Sequence, residues 1–210
     1  MLKLRTDVAY SGTGGKLTQA GVEAIQGQFD AQSTVATGLD TRLTTVETTL
    51  AGSLIKLQSA VAASSQTSID FTGVPAWVNR ITVMFNELST NGTSLVQVQL
   101  GDSGGVETSG YAGSSTAIAG TVTTAALSAG FALNQGGGAT AAAVQHGAMS
   151  LNRGAGNTWV CVAHVGLSDT ARACITAGTK TLSGTLDRVR VTTVIGTDTF
   201  DAGSVSISWE

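Results

Sequence analysis

Charge is scarce in this chain of 210 residues: Asp, Glu, Lys and Arg make up 12% of it and leave a formal net charge of −3. The few Lys and Arg are scattered, so no basic patch exists to neutralise phosphates, and neither nucleic acid nor an anionic membrane is expected as a partner. Long apolar runs are missing too. No stretch of about 18 apolar residues occurs, so no membrane insertion is expected. Met1 to Asp7 lack the unbroken apolar region of a signal peptide, so synthesis and folding in the cytoplasm are expected. Cys161 and Cys174 stand in apolar, strand-like contexts and are expected as buried free thiols. Two cysteines and two histidines without close spacing make no zinc site, and no cofactor is expected.

In place of charge the chain has Thr, Ser, Gln and Asn to keep it in water, and a 42% hydrophobic fraction that is enough for a real core. With a Gly-rich β region, this composition suits a rigid extracellular or particle-bound protein better than a cytosolic enzyme.

Residues 42 to 47, Arg-Leu-Thr-Thr-Val-Glu, set a heptad register with Leu43 at a, Val46 at d, Arg42 at g and Glu47 at e. In parallel helices a g residue lies beside the e residue five positions later on a neighbouring chain, so Arg42 of one copy forks onto Glu47 of the next. The hexad resembles the short trimerisation motif of many three-stranded parallel coiled coils. The same register runs both ways, with Val22, Phe29, Ala36, Leu43, Leu50 and Leu57 at a, and Ile25, Gln32, Leu39, Val46, Ser53 and Ala60 at d. Only Gln32 and Ser53 interrupt the apolar seam, and Gly21, Gly27, Gly38 and Gly52 all fall at outer positions. A helix lying on its own domain would also show a stripe. Here, however, the remaining surface is Thr, Ser, Gln and Gly, and about 40 residues at 1.5 Å make a rod of about 60 Å, longer than a small domain is wide. An intermolecular stalk over 17–64 is therefore expected.

Before it, residues 1–16 read as an extended arm in which Leu2, Leu4, Val8 and Tyr10 recur on alternate positions, as in a strand laid on a partner. Gly14-Gly15-Lys16-Leu17-Thr18 superficially resembles a phosphate loop but has Leu17 where the magnesium-binding Ser or Thr should follow Lys16.

From 65 to 210 the period changes to two. Ile81, Val83 and Phe85, the turn Asn91-Gly92, and Val96, Val98 and Leu100 read as a hairpin. Short strands are expected at 111–118, 121–127, 144–151, 159–165, 172–176 and 186–195, and finally through Val205, Ile207 and Trp209. Such spacing with no intervening helix indicates an antiparallel sandwich or jelly roll. The fold expected is thus mainly β with a long N-terminal helix: a parallel trimeric coiled coil followed by an antiparallel β-sandwich or jelly-roll-like tip domain.

Several residues invite a chemical reading. Gly101-Asp102-Ser103-Gly104-Gly105 spells a protease nucleophile motif, but His146 and His164 both follow it, so a Gly-rich turn is the better reading. His164 belongs on the strand face opposite Trp159 and Cys161, as a hydrogen-bonded sheet histidine. Asp198 and Asp201 form a conceivable glycosidase pair, yet they flank a turn. Trp159 and Trp209 are expected in the core, and Trp77 and Tyr111 are further candidates for stacking on sugars. No catalytic residue is assigned, and the chain is not expected to be an enzyme.

The stretches Ile69 to Ile81, Leu186 to Thr192 and Asp198 to Val205 resemble the carboxy-terminal domain of bacteriophage and prophage tail-fibre or head-fibre proteins. That family is non-enzymatic, trimeric and virion-bound. The resemblance implies a homotrimeric structural protein of the virion, made in the host cytoplasm. Its arm (Leu2, Leu4, Val8, Tyr10) would attach to a portal, collar, capsid or tail protein, and its β-tip would meet a host-surface glycan or protein, or a neighbouring virion protein. The alternative is a glycan-binding or glycan-degrading tip.

Overall fold

The computed structural model describes residues 18–53, 55–134, 140, 141, 143–169 and 171–210. The chain divides into two compact units, Met1–Ser53 and Leu54–Glu210.

The described part of the first unit forms the helix α1 (Gln19–Ser53). Thr18 starts it: its Oγ1 accepts from the Gly21 amide at 3.2 Å and its carbonyl accepts from the Val22 amide at 3.0 Å, so an N-terminal amide that lacks a helical partner is satisfied. Along the middle, Thr34, Thr37, Thr41, Thr44, Thr45, Thr48 and Thr49 each donate their hydroxyl to the carbonyl four residues earlier, at 2.8 to 3.0 Å. These threonines satisfy their own polar atoms within the helix. The helix stops eleven residues short of the expected stalk end at 64. Leu57 and Ala60, expected in the seam, instead lie in a strand, because the heptad spacing of two apolar residues over one turn is also met by a short strand.

Among its described residues the second unit has thirteen strands: β1 (Lys56–Ala62), β2 (Ser68–Thr72), β3 (Arg80–Thr90), β4 (Val96–Asp102), β5 (Gly105–Val106), β6 (Tyr111–Ala119), β7 (Thr121–Ala126), β8 (Phe131–Ala132), β9 (Gln145–Arg153), β10 (Thr158–Leu167), β11 (Arg172–Thr181), β12 (Arg188–Thr193) and β13 (Phe200–Trp209). They form two antiparallel sheets. The larger runs β1-β13-β3-β9-β10-β11-β6-β7; the smaller runs β2-β12-β4-β5, with β8 also on β4. Alternate residues from both sheets meet in a single core, including Phe71 and Val191 from the small sheet and Ile81, Met149, Leu151 and Ile207 from the large. Phe131, on the two-residue β8, is fully buried and meets Tyr111 edge-on at 4.9 Å between ring centres.

The expected hairpin of residues 81–100 does not form. β3 belongs to the large sheet and β4 to the small one, so Asn91-Gly92 lies in a crossing between sheets. Periodicity cannot tell the two arrangements apart, because both strands bury one face in the same core. Neither Asn91 nor Gly92 takes a positive φ. Gly92 is needed for space: a Cβ there would lie 2.2 Å from the Asp198 carboxylate. Nor does β4 alternate, since Gln97 and Gln99 are buried, and Gln99 Nε2 donates to the Ala129 carbonyl at 2.8 Å. The other expected strands are present. β13 carries an irregularity between Phe200 and Ser204 where Gly203, at φ +85°, passes so close to the Glu87 carbonyl that a Cβ would meet it at 2.2 Å.

Candidate functional site

The helix carries the most conspicuous surface of the described chain. Val22, Phe29, Leu39, Leu43 and Val46 are all exposed, Phe29 to 61%, and Ile25 is half-exposed. These side chains recur at the a and d positions of one register, so they share one stripe of α1. Leu50 continues it in the helical backbone, although its side chain lies outside the described residues. Arg42 and Glu47 are exposed as well. Five residues apart on an α-helix they stand about 140° from each other around the axis, so an ion pair between them requires two chains. Around the stripe the polar surface is short-range: Gln19 Nε2 donates to Glu23 Oε1 at 3.1 Å and Gln26 Nε2 to Asp30 Oδ1 at 2.9 Å.

A helix rich in Thr, Ser and Gly has low intrinsic propensity, and most helical stability in proteins comes from packing of an apolar face. The stripe is therefore the feature of α1 that asks for a partner. Leu57 leaves the set, since it belongs to β1, where it is 71% exposed on the outward side opposite Ser208. The sequence held a signal for that boundary: Ile55 and Val61 are apolar but fall at the outer f and e positions of the register. The arm residues Leu2, Leu4, Val8 and Tyr10 lie outside the described residues, as does most of the phosphate-loop-like stretch.

In the β unit, residues 101–105 form the β4–β5 turn, with Ser103 exposed and the Asp102 carboxylate accepting the Gly104 amide at 2.8 Å. Asp102 belongs to a polar cluster that sequence reasoning did not anticipate. Ser183 Oγ lies 2.8 Å from both Asp102 Oδ2 and Glu107 Oε1, and the Ser183 amide donates to Glu107 Oε1 at 2.7 Å. The other oxygen of Glu107 ion-pairs with Lys180, a buried lysine whose ammonium also sits 5.5 Å over the centre of the Tyr111 ring. Tyr111 Oη accepts the Leu100 amide at 2.7 Å and donates to the Glu107 carbonyl at 3.0 Å. The Ser183 hydroxyl, followed by the Gly104 amide, holds the Asp102 carboxyl below its usual range. Burial raises Glu107, but hydrogen bonds from Lys180 and Ser183 outweigh it and leave its carboxyl below the usual range. Every polar partner is used in tying residues 100–111 to 180–184, so the cluster is a fastening and offers no free nucleophile.

Asp198 accepts the Ser94 amide at 2.7 Å, while Asp201 is exposed, so the pair serves the loop crossing. His164 stands exposed on the outer face beside Val160 and Val162, without the hydrogen bond expected of it among those described; His146 instead pairs with Ser168 Oγ at 3.1 Å. Trp159 is in the core, Trp209 packs against it, and Trp77 is 40% exposed in the loop that Arg153 Nη1 grips through the Ala76 carbonyl at 2.9 Å. Both cysteines are free and buried, and burial pushes the Cys161 thiol up to about 12. Among the described residues no group of three or more His, Cys, Asp or Glu is placed to hold a metal, and no helix is long and apolar enough to cross a membrane. No known protein family, characterised protein or solved structure matches the chain.

Proposed function

We propose that this chain is a structural virion protein of the phage-fibre kind, a homotrimeric fibre or spike whose α1 stripe is the trimer seam. The observation that carries the reading is the row of large apolar residues left exposed along a Thr-rich helix. Three parallel copies bury that row and bring Arg42 of each beside Glu47 of the next, while Leu43 at a with β-branched Val46 at d favours more than two strands. The β unit fits the part of a tip. β1 begins at the end of the large sheet that holds Trp209, Arg80 and Thr158, and the loops at 91–95 and 194–199 lie at the opposite end of the strands. Those two loops are stitched into one rigid edge: Asn91 Oδ1 accepts the Thr199 amide at 3.0 Å and Ser94 Oγ accepts the Ile195 amide at 2.9 Å. They leave Val194 and Ile195 exposed. Such an edge is where the tip would meet a host surface or a virion neighbour, with the arm attached to the particle.

Mass measurement of the full chain in solution tests the seam. A trimer is expected; a monomer at micromolar concentration sinks the reading. Exposed Trp77 supports a second reading, a glycan-binding tip, because an aromatic ring free to stack is what sugar recognition uses. Binding on a glycan array that disappears in Trp77→Ala would favour it.

A further inference from the structure

The chain contains one Asn-Gly pair, Asn91-Gly92, and the fold places it at the crossing from the large sheet to the small one. Such a pair has a chemistry of its own. The backbone nitrogen of the residue after an asparagine can attack the side-chain Cγ and close a five-membered ring, and glycine, having no side chain, hinders that approach least. The other five asparagines precede Arg, Glu, Gln or Thr, whose side chains crowd the attacking nitrogen. Asn91 is therefore the position where ring closure is sterically open.

What surrounds the pair goes further than steric access. Thr199 holds the electrophile: its carbonyl accepts the Asn91 amide at 3.0 Å, and its own amide donates to Asn91 Oδ1 at 3.0 Å. That second bond is aimed at the oxygen on which negative charge develops when Cγ is attacked, as an oxyanion donor is. The nucleophile, in contrast, is loose. Among the described residues neither the Asn91 carbonyl nor the Gly92 amide makes a hydrogen bond, so the peptide plane that must turn toward Cγ is not pinned. Asn91 Nδ2, the leaving nitrogen, is likewise held by no described residue, and Asn91 is exposed to the water that the second step consumes. A base stands beside them. The Asp198 carboxylate lies so close to Gly92 that a Cβ there would collide with it. Its Oδ2 accepts the Ser94 amide at 2.7 Å, whereas Oδ1 has no hydrogen-bond partner among the described residues and is the oxygen left to take a proton.

We propose that Asn91 is a site of spontaneous covalent modification, deamidating through a succinimide with Asp198 as base and the Thr199 amide as oxyanion donor. The Gly92 nitrogen bonds to Cγ of Asn91 while its proton passes to Asp198. The bond from Cγ to Nδ2 then breaks, and Asp198 returns the proton to the leaving nitrogen, which departs as ammonia. Water opens the ring at Cγ to give aspartate, or at the backbone carbonyl to give isoaspartate. Either product sets a second negative charge beside Asp198, and isoaspartate also lengthens the backbone by a carbon, so the joined loops at 91–95 and 194–199 loosen as the protein ages. The proposal does not depend on the trimeric reading of α1. To test it, the full chain is incubated in mildly alkaline buffer, folded or denatured in urea, and position 91 is followed by peptide mapping with mass spectrometry, with isoaspartate scored by isoaspartyl methyltransferase. Asn91 is expected to convert about tenfold faster in the folded chain than in urea, because Thr199 and Asp198 surround it only in the fold, while the other asparagines stay unchanged. Asp198→Asn keeps an acceptor for the Ser94 amide and removes the base, so it should melt like the parent and convert at the denatured rate. Conversion in the folded parent no faster than in urea overturns the proposal, and this comparison decides by itself if the variant does not fold. An Asp198→Asn chain that melts like the parent and still converts at the parent's rate overturns it as well.

Discussion

Glu47 and Arg42 face solvent in a single chain, so their substitution is a clean probe of what lies across from them. Glu47→Lys sets like charges at each interchain contact of the proposed seam, where a partly exposed pair is worth about 0.5 to 1 kcal/mol, and symmetry repeats the fault in every subunit. Helix melting should fall in Glu47→Lys and recover in the double variant Arg42→Glu with Glu47→Lys. Equal melting of parent, single and double variants would show that both residues are ordinary solvated surface. In the β unit, Glu107→Gln leaves buried Lys180 without its counter-charge and should lower stability by about 3 kcal/mol at neutral pH, as read by denaturant unfolding. Because the folded forms of Asp102 and Glu107 hold their carboxyls below the ordinary range, both contribute stability that is present above that range and is lost as pH falls through the lowered values. The melting temperature of the β unit should thus be flat from pH 7 to about 5 and decline below about 4, and Glu107→Gln should shallow that decline. A decline of unchanged slope in the variant would remove Glu107 from the account.

At the scale of elements, α1 should not be self-sufficient. A peptide of residues 18–53 is expected to gain helix content as its concentration rises and to lose it on dilution, because the apolar stripe is buried only by association. Circular dichroism that does not change with concentration would count against the seam. The same element shows what sequence alone conveys. Its stripe was legible from a seven-residue period, since that period is local. Its end was not, because a heptad and a bulged strand place apolar residues alike over one turn. β1 pairs with β13, some 150 residues away in the chain, and pairing at that distance leaves no trace in spacing. The strands from 144 to 167 followed their alternation, whereas the assignment of β3 and β4 to different sheets left no mark in spacing, and Asp198 reaches across to Gly92 and Ser94 at that crossing. The cluster of Asp102, Glu107, Lys180 and Ser183 was hidden for the same reason: it joins two turns that are distant in sequence.

For the whole molecule, arm and body should separate cleanly. On the proposed fibre reading, removing residues 1–14 takes away no heptad position and no strand of the β unit, so assembly should persist while incorporation into particles is lost. Normal incorporation of the shortened chain would place attachment elsewhere.

The position of β1 also has a mechanical meaning. It is the outermost strand of its sheet, the first to follow the helix, and it lies antiparallel against the last strand, Lys56 opposite Trp209 and Ala62 opposite Ser204. A pull applied at Lys56 against the loops at the other end of the sheet runs along the length of β1. The hydrogen bonds to β13 lie across that direction. They are therefore loaded together in shear rather than opened one after another, and β1 resists tension as a clamp does.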